Sequence, residues 1–424
     1  MINKPTAIFI AIAASIFLFN FNSICIKNDF DQPAKYKLTY LSLNLIAYLA
    51  KLFDRVNIVS ESKFLRDAID FLSFSGADTN DKYVKIENKI LNDVGVRIYT
   101  ALKKPNDPSP FMIYFHGGGY AIRNMDSYDT VLSQISNETN ITIISVDYRL
   151  APEFPAPIPT NDCWRVIEYV LENSGKLNVD LDRLILAGDS AGGNAALVLS
   201  KRLALEKKLK PIFQILMYPW TQLAFGNMPS FIGYQGGLLN ALDLASLKLW
   251  YVGLDRVTDE MKNSILSNNH TLLLDENERE NMRSYLNTNL IEDKYKKNTQ
   301  YFKLYESTNL INSGSLDKND ILNKDSAFAQ KVKRLFSEEV SPGLASLDQL
   351  KYQPKTYEII CEFDSLKDEG LILGERLRQA GVQVHVAYYD QCFHGMVSML
   401  HSLEWFHLTK TILSDVIFYI NSNL

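Results

Sequence analysis

The sequence predicts an α/β fold: a mostly parallel, eight-stranded sheet with helices on both faces and a helical cap. Short apolar runs alternate with helical patterns, and two of the runs end in glycine-rich loops. A chain of 424 residues with 46% hydrophobic content is long enough for one large domain with accessory elements. The strand candidates are 83–91, 96–102, 110–116, 141–146, 183–188, 211–218, 356–361 and 382–389. The helix candidates are 127–138, 161–174, 191–207, 368–380 and 402–420.

These elements suggest three regions. An apolar N-terminal segment covers 1–26, cap helices cover 27–80, and the α/β domain covers 81–424 with a cap insertion at about 222–340. The first two strands are joined by Leu91–Gly95, which predicts a hairpin at one edge of the sheet.

The first informative motif is Gly188-Asp189-Ser190-Ala191-Gly192, which lies between an apolar run and a helical pattern. Gly-x-Ser-x-Gly in that context is the nucleophile elbow of the α/β-hydrolase fold, where a tight turn lifts the serine clear of the sheet. Ser190 is therefore the predicted nucleophile. Taken alone, the pattern is equally compatible with an ordinary turn.

The second motif, His116-Gly117-Gly118-Gly119, follows an earlier strand candidate. Such a loop supplies backbone N–H groups to an oxyanion hole, the donor set that stabilises the negative oxygen of an acyl-transfer intermediate. Gly118 and Gly119 are the favoured donors, Gly117 is a further candidate, and the N–H of Ala191 completes the set. His116 is predicted to be structural, because the base of this fold comes later in the chain.

The chain order of the fold places an acid and then a histidine after the serine. Of the six histidines, only His394 lies in a short loop directly after a strand candidate, which predicts it as the base. Asp364 stands at the end of the preceding strand and is the predicted acid. Asp368 is the weaker alternative, because Asp368 and Glu369 fit the first turn of the next helix, where the dipole favours negative charge.

With these motifs in place, the chain resembles the hormone-sensitive-lipase-like α/β-hydrolases, in the branch of arylacetamide deacetylase and neutral cholesterol ester hydrolase. The resemblance runs from about residue 85 to the C-terminus and is poor near 255–335. The segments that carry it are Tyr114–Gly119, Asp147–Glu153, Gly188–Asn194, Asp364–Gly370, Arg376–Val382 and Phe393–Gly395.

The resemblance implies a serine hydrolase that cleaves carboxylic esters, with amide cleavage as a side activity and no metal or organic cofactor. It assigns Ser190 as nucleophile, Asp364 as acid, His394 as base, and the glycine loop with Ala191 as oxyanion hole. The alternatives are a catalytically silent small-ligand receptor on this fold, as in the gibberellin receptor, and a membrane-tethered scaffold. A receptor can lose the base, whereas this chain keeps all three side chains.

The four cysteines (Cys25, Cys163, Cys361 and Cys392) have no metal-ligand spacing. In arylacetamide deacetylase a cysteine near the position of Cys361 pairs with one just after the glycine loop. Here that loop continues as Tyr120-Ala121, so that disulfide cannot form. Buried free thiols are the favoured interpretation, and pairing of Cys361 with Cys392 stays open.

The net charge of −5 and the lack of a basic stretch exclude nucleic acid as a partner. Residues 7–26 approach the length that spans a bilayer, which predicts an uncleaved signal anchor; a cleaved signal peptide and a buried helix are the alternatives. Lys4 before this segment favours a cytosolic N-terminus, hence a type II protein of the endoplasmic reticulum membrane with a lumenal catalytic domain; a secreted protein is the alternative.

The sequence leaves four further points as expectations. The sequons at Asn137, Asn140 and Asn269 fit a lumenal glycoprotein. The amphipathic stretch 36–75 is interpreted as ordinary core packing, with a membrane-facing surface as the alternative. The polar stretch 255–335 is predicted to be a solvated or partly disordered excursion. The substrate is expected to be a small apolar ester or lipid.

Overall fold

The computed structural model describes residues 24, 30–73, 82–103, 108–226, 228–234, 237–296, 303–304, 316–398 and 406–424. The predicted N-terminal segment therefore lies outside the described residues apart from Ile24. The strands are β1 Val84–Leu91, β2 Val94–Ala101, β3 Ser109–Phe115, β4 Thr142–Asp147, β5 Val179–Asp189, β6 Phe213–Met217, β7 Thr356–Phe363 and β8 Val384–Phe393.

In the described residues, two α-helices precede β1, eight lie between β6 and β7, and the others lie between or after the remaining strands. They are α1 Pro33–Arg55, α2 Glu61–Ser73, α3 Asp129–Thr139, α4 Ile158–Glu172, α5 Ser174–Leu177, α6 Ala191–Arg202, α7 Pro229–Gly233, α8 Ala241–Tyr251, α9 Asp259–Leu266, α10 Glu276–Tyr285, α11 Asp293–Lys296, α12 Ile321–Lys324, α13 Ser326–Val332, α14 Leu347–Leu350, α15 Lys367–Gln379 and α16 His407–Asn423. None of the helices in the described residues is long and apolar enough to span a bilayer.

The eight strands form one sheet in the order β1-β2-β4-β3-β5-β6-β7-β8. The pairs β1–β2 and β2–β4 are antiparallel, and every other neighbouring pair is parallel. This confirms the predicted eight-stranded, mostly parallel sheet. The edge hairpin is confirmed as well: Leu91 pairs with Val94, and Asn92 and Asp93 both have positive φ, as a two-residue type I′ turn requires.

Helices cover both faces, because the central strands are apolar on both sides. On one face, α4, α6 and α15 bury side chains such as Val166, Leu197 and Leu373 against the sheet. On the other face, α3 and α16 bury Leu132 and Ile412. The loops that follow β3, β5, β7 and β8 meet at the carboxyl edge of the sheet, which is where open α/β sheets bind ligands.

The predicted core packing of 36–75 differs from what the structure contains. Helix α1 buries only Tyr36 and Ala50, because it lies over a cavity rather than against a filled core. The expectation for 255–335 was wrong over part of its length. Ile265 and Phe328, on α9 and α13, are buried in the same hydrophobic cluster as α4 and α6.

Candidate active site

Ser190 occupies a strained turn between β5, which ends at Asp189, and α6, which begins at Ala191. Its backbone has φ +54° and ψ −117°, a conformation that residues other than glycine rarely adopt. Glycine is required at the close approach that follows: a Cβ on Gly192 would lie 1.9 Å from the carbonyl oxygen of Phe115. The local sequence therefore forces the serine side chain out of the sheet, as the motif predicts.

The structure brings the three predicted side chains together. His394 Nε2 lies 3.0 Å from Ser190 Oγ, and His394 Nδ1 lies 2.9 Å from Asp364 Oδ2. The other carboxylate oxygen of Asp364 accepts the N–H of Leu366 at 2.8 Å, which fixes the carboxylate plane. All three side chains are buried, with exposures of 8% for Ser190, 2% for Asp364 and 7% for His394. These distances are those of a nucleophile, a base and an orienting acid.

The predicted acid and the predicted base lie on neighbouring loops because β7 and β8 are paired in parallel. Asp364 directly follows β7 and His394 directly follows β8, and the N–H of His394 donates to the carbonyl oxygen of Phe363 at 3.3 Å. The strand before His394 is longer than predicted, since it continues through Phe393. The ring of Tyr218 packs edge-on against the imidazole at a centroid distance of 5.0 Å.

The glycine loop lies beside the serine, and its N–H groups divide into two kinds. The N–H of Gly117 donates to Asp189 Oδ1 at 2.7 Å, so it is already occupied. Across the described residues, the N–H groups of Gly118, Gly119 and Ala191 have no protein acceptor. Gly118 and Gly119 have φ +115° and +61°, which is why glycine is needed there. Three of the four predicted donors are therefore free.

Asp189 is the residue that joins the glycine loop to the serine turn. Besides Gly117, its carboxylate accepts hydrogen bonds from the hydroxyls of Tyr114 at 2.9 Å and Tyr128 at 3.1 Å. Burial raises the pKa of this carboxyl, and the charge of Arg123 together with these donors opposes the rise. The sequence motif alone does not reveal these contacts, because the partners of Asp189 come from distant segments.

Two other described histidines, His116 and His270, are buried and neutral away from the serine. His116 is fully buried, stacks on the ring of Tyr148 at 4.1 Å, and has its pKa lowered to about 4 by burial, so it is neutral at pH 7. This agrees with its predicted structural role. His270 is also buried, with its Nε2 2.5 Å from the carbonyl oxygen of Ala224, and its pKa is likewise lowered to about 4 by burial.

A cavity of about 520 Å³ opens above Ser190 and His394. Helices α1, α2 and α8 form much of its wall, and most of the lining is apolar. The apolar side chains that face it include Leu43, Ile46, Leu65, Ile69, Leu244, Leu247, Trp220 and Trp250. Arg123, a lining residue that the sequence patterns did not single out, donates from Nη1 to the carbonyl oxygen of Ser398 at 2.5 Å.

The wall formed by α2 is tied to the loops around the site by Arg66. Its guanidinium pairs with both oxygens of Glu153, at 3.0 and 2.8 Å, and donates to the backbone carbonyls of Ala121 and Ala151. Glu153 therefore links α2 to the loops near the site. No sequence signal pointed to Arg66. The described residues contain no group of three or more histidine, cysteine or acidic side chains that could hold a metal ion.

Comparison with known proteins shows the family to which the chain belongs. A profile described as the α/β-hydrolase fold matches residues 112–279 and 291–398. The chain is 29% identical to arylacetamide deacetylase of Bos taurus over 395 residues, covering 91% of this chain and 92% of that protein. It is 30% identical to neutral cholesterol ester hydrolase 1 of Mus musculus over 322 residues, covering 74% of each chain.

Solved structures share the fold at lower identity. A hyperthermophilic esterase from Pyrobaculum calidifontis superposes with a TM-score of 0.59 at 21% identity, over 88% of this chain and 97% of that one. A thermostable esterase from Pseudomonas putida gives a TM-score of 0.60 at 19% identity, over 91% and 96% of the two chains. The profile match and the curated relatives confirm the resemblance drawn from the motifs. The chain belongs to the α/β-hydrolase fold family, as a relative of arylacetamide deacetylase and neutral cholesterol ester hydrolase.

Proposed function

We propose that this protein is a serine carboxylesterase that cleaves apolar esters through an acyl-enzyme, with Ser190, His394 and Asp364 as the catalytic residues. The observation that carries the proposal is the continuous hydrogen-bonded chain from Ser190 Oγ through the imidazole to Asp364, at the floor of an apolar cavity. The names of the curated relatives, a deacetylase and an ester hydrolase, support the same reaction class.

The proton path follows from what each group can donate. The Asp364 carboxylate can only accept, so the proton on the imidazole resides on Nδ1 and the Nε2 lone pair faces the serine hydroxyl. Ser190 Oγ attacks the ester carbonyl while Nε2 takes its proton, and the resulting imidazolium then protonates the leaving alcohol. Water then attacks the acyl-enzyme while Nε2 takes a proton from it. The imidazolium returns that proton to Ser190 Oγ, which releases the carboxylic acid and restores the serine.

The negative oxygen of the tetrahedral intermediate is assigned to the N–H groups of Gly118, Gly119 and Ala191. These donors are fixed before the reaction begins, so no energy is spent in orienting them, and removing one such donor costs roughly 10²–10³ in rate in a serine protease. Gly117 has a different part in our proposal. Its N–H holds Asp189, so that the loop and the nucleophile keep a constant separation.

The substrate class follows from the cavity. Its apolar walls favour an acyl or alcohol group without charge, and about 520 Å³ lies within the roughly 300–1,000 Å³ of small-molecule sites. We propose that residues 27–80 and about 222–340 form the cap that selects the substrate, since α1, α2 and α8 lie in these two ranges. Amide cleavage is a proposed side activity, supported by the name of the deacetylase relative.

An active-site fluorophosphonate probe tests the enzyme proposal directly. Wild-type protein should be labelled at one site, and Ser190→Ala should abolish the labelling without changing the folded secondary structure. Ser398→Ala, which alters another serine that lines the cavity, is the matched control and should still be labelled. Absence of labelling in the wild type would contradict esterase chemistry and favour the silent ligand receptor. A chain-length series of p-nitrophenyl esters then measures the preferred acyl group.

We further propose that the N-terminal segment 1–26 anchors the protein in the endoplasmic reticulum membrane with a lumenal catalytic domain. Besides the sequence pattern, support comes from α1, where Leu45, Tyr48 and Leu52 share one face and are 59%, 65% and 42% exposed. None of these three residues lines the cavity, and an exposed apolar stripe of this kind suits contact with the bilayer interface.

Membrane insertion and orientation can be measured on the full chain in microsomes. The protein should resist alkaline carbonate extraction, be protected from added protease, and lose mass with endoglycosidase if Asn137, Asn140 or Asn269 is glycosylated. A chain without residues 1–26, given a cleavable signal peptide, is the control and should be extracted. Release of the full chain by carbonate would contradict anchoring, and its recovery in the medium would support the secreted alternative.

A further inference from the structure

Two buried cysteines lie side by side directly beneath the loops of the acid and the base. Cys361 is on β7 and Cys392 is on β8, and their Sγ atoms are 2.7 Å apart. Both side chains are 0% exposed and belong to the hydrophobic cluster on the α3 and α16 face of the sheet. Neither thiol takes part in the proposed reaction, so their proximity needs a separate explanation.

An irregularity in the sheet creates this proximity. Along β7 and β8, Cys361 pairs with Tyr389 but Phe363 pairs with Phe393, so the register shifts between the two pairs. The extra residues on β8 form a bulge that contains Cys392. Bulges re-aim side chains, and this one turns Cys392 toward Cys361. If the register were not shifted, Cys392 would lie three positions further along than the partner of Cys361, which is beyond the end of β7.

We propose that Cys361 and Cys392 form an intramolecular disulfide when the protein folds in an oxidising compartment. The oxidant is a small-molecule disulfide such as oxidised glutathione. The two thiols give up two electrons and two protons, one S–S bond forms between Cys361 and Cys392, and oxidised glutathione is reduced to two molecules of glutathione. The inference goes beyond the proposed esterase activity and does not depend on it.

The geometry requires little movement. A disulfide has an S–S distance of about 2.05 Å, so the two sulfurs would have to approach by about 0.7 Å. The third described cysteine, Cys163, is on α4 and belongs to the hydrophobic cluster on the opposite face of the sheet, so the sheet separates it from this pair. The cross-link is also different from the one implied by the relatives, whose second cysteine is replaced by Tyr120-Ala121 here.

Burial determines when the bond can form. Exchange needs a thiolate that can reach the oxidant, and burial raises the pKa of Cys361 well above its ordinary value. The reaction therefore belongs to folding, before β7 and β8 are covered by α16. Once formed, the bond is shielded from reductants for the same reason. A native, reduced sample should then oxidise much more slowly than a refolding one.

The cross-link would join the bases of the two loops that carry the acid and the base. Cys361 precedes Asp364 by three positions, and Cys392 precedes His394 by two. Closing a loop of about 30 residues removes freedom from the unfolded chain, which for a protein of this size raises the temperature of half-inactivation by roughly 5 °C. The bond should therefore protect the active-site geometry against heat.

The experiment is oxidative refolding of the full chain in a glutathione redox buffer, followed by alkylation in denaturant and peptide mapping without reduction. We expect one cross-linked peptide that joins the Cys361 and Cys392 segments. The matched control Cys163→Ala should give the same peptide. A map in which both cysteines are alkylated, or in which Cys25 or Cys163 is linked to either of them, would overturn the proposal. This measurement needs no active enzyme and no Cys361 variant.

Heat inactivation gives a second, independent measurement. Refolding under reducing rather than oxidising conditions should lower the half-inactivation temperature of the wild type and of Cys163→Ala by about 5 °C. The half-inactivation temperatures of Cys361→Ala, Cys392→Ala and the double variant should not depend on the redox buffer. The change between the two buffers should therefore be zero for all three variants. Equal responses in all five proteins would show that the effect arises elsewhere and would overturn the proposal.

Discussion

Glu358 in the middle of β7 offers a sharp test of the buried electrostatics of this fold. Its side chain is 0% exposed, and neither carboxyl oxygen has a hydrogen-bond partner in the described part of the chain. Two glycines on α15 make room for it: a Cβ on Gly374 would lie 2.7 Å from one oxygen, and a Cβ on Gly370 would lie 3.5 Å from the other. Burial raises the pKa of Glu358 from 4.5 to about 8, with a small opposing effect from Arg378.

The sign of the pH dependence follows from this rise. Below pH 4.5 the carboxyl is protonated in both the folded and the unfolded chain, so it contributes no pH dependence to the free energy of unfolding. Between pH 4.5 and about 8 the unfolded chain loses the proton while the folded chain keeps it, so stability falls as pH rises. Each pH unit is worth about 1.4 kcal/mol. Between pH 5 and pH 8 the loss in the free energy of unfolding is therefore about 4 kcal/mol.

Glu358→Gln keeps the shape and removes the titration. We expect the free energy of unfolding of the variant, relative to wild type, to rise by about 4 kcal/mol from pH 5 to pH 8, measured by urea denaturation at both values. Glu172→Gln, which changes an exposed carboxylate, should stay within about 0.5 kcal/mol of wild type at both. If the curves of wild type and Glu358→Gln remain parallel across this range, the carboxyl is not buried as described.

Three further substitutions test the site itself. Asp364→Asn should lower kcat for a p-nitrophenyl ester by about 10³–10⁴ with little change in KM, because the wrong imidazole tautomer then faces the serine; an unchanged kcat would remove Asp364 from the mechanism. Gly119→Ala places a Cβ 2.6 Å from Leu247 at φ +61°, so kcat should fall by about 10²–10³; wild-type kcat would exclude this donor. Arg66→Ala frees α2 from Glu153, and KM should rise by about three- to tenfold while fluorophosphonate labelling persists; an unchanged KM would show that this link does not shape the cavity.

The sequence predicted well those features that depend on short, local patterns. Each strand of the described residues was located, and the central parallel strands were the clearest because a buried parallel strand is a continuous apolar run. The turn at Ser190 was predicted because a Cβ at either flanking glycine, Gly188 or Gly192, would clash with nearby backbone atoms. The choice of His394 among six histidines rested on one property, its place directly after a strand.

Features that depend on contacts between distant segments were not predictable in this way. The hydrogen bond made by the N–H of Gly117 was missed because its acceptor, Asp189, lies 72 positions away in a different motif. Neither motif by itself shows that these two groups meet. The loose packing of α1 was missed for a related reason. An amphipathic pattern shows that one helix face avoids water, but it does not distinguish a filled core from the wall of a cavity.

The order of strands in the sheet also has a consequence for synthesis of the protein. Ser190 is made 204 residues before His394, and the base can be placed only after β8 has joined β7 at the far edge of the sheet. At roughly 5–20 residues per second, the ribosome needs about 10–40 s to add the missing partner. Throughout that interval the growing chain carries its serine without a base. The base therefore cannot assist Ser190 until the segment that carries β8 and His394 has been made.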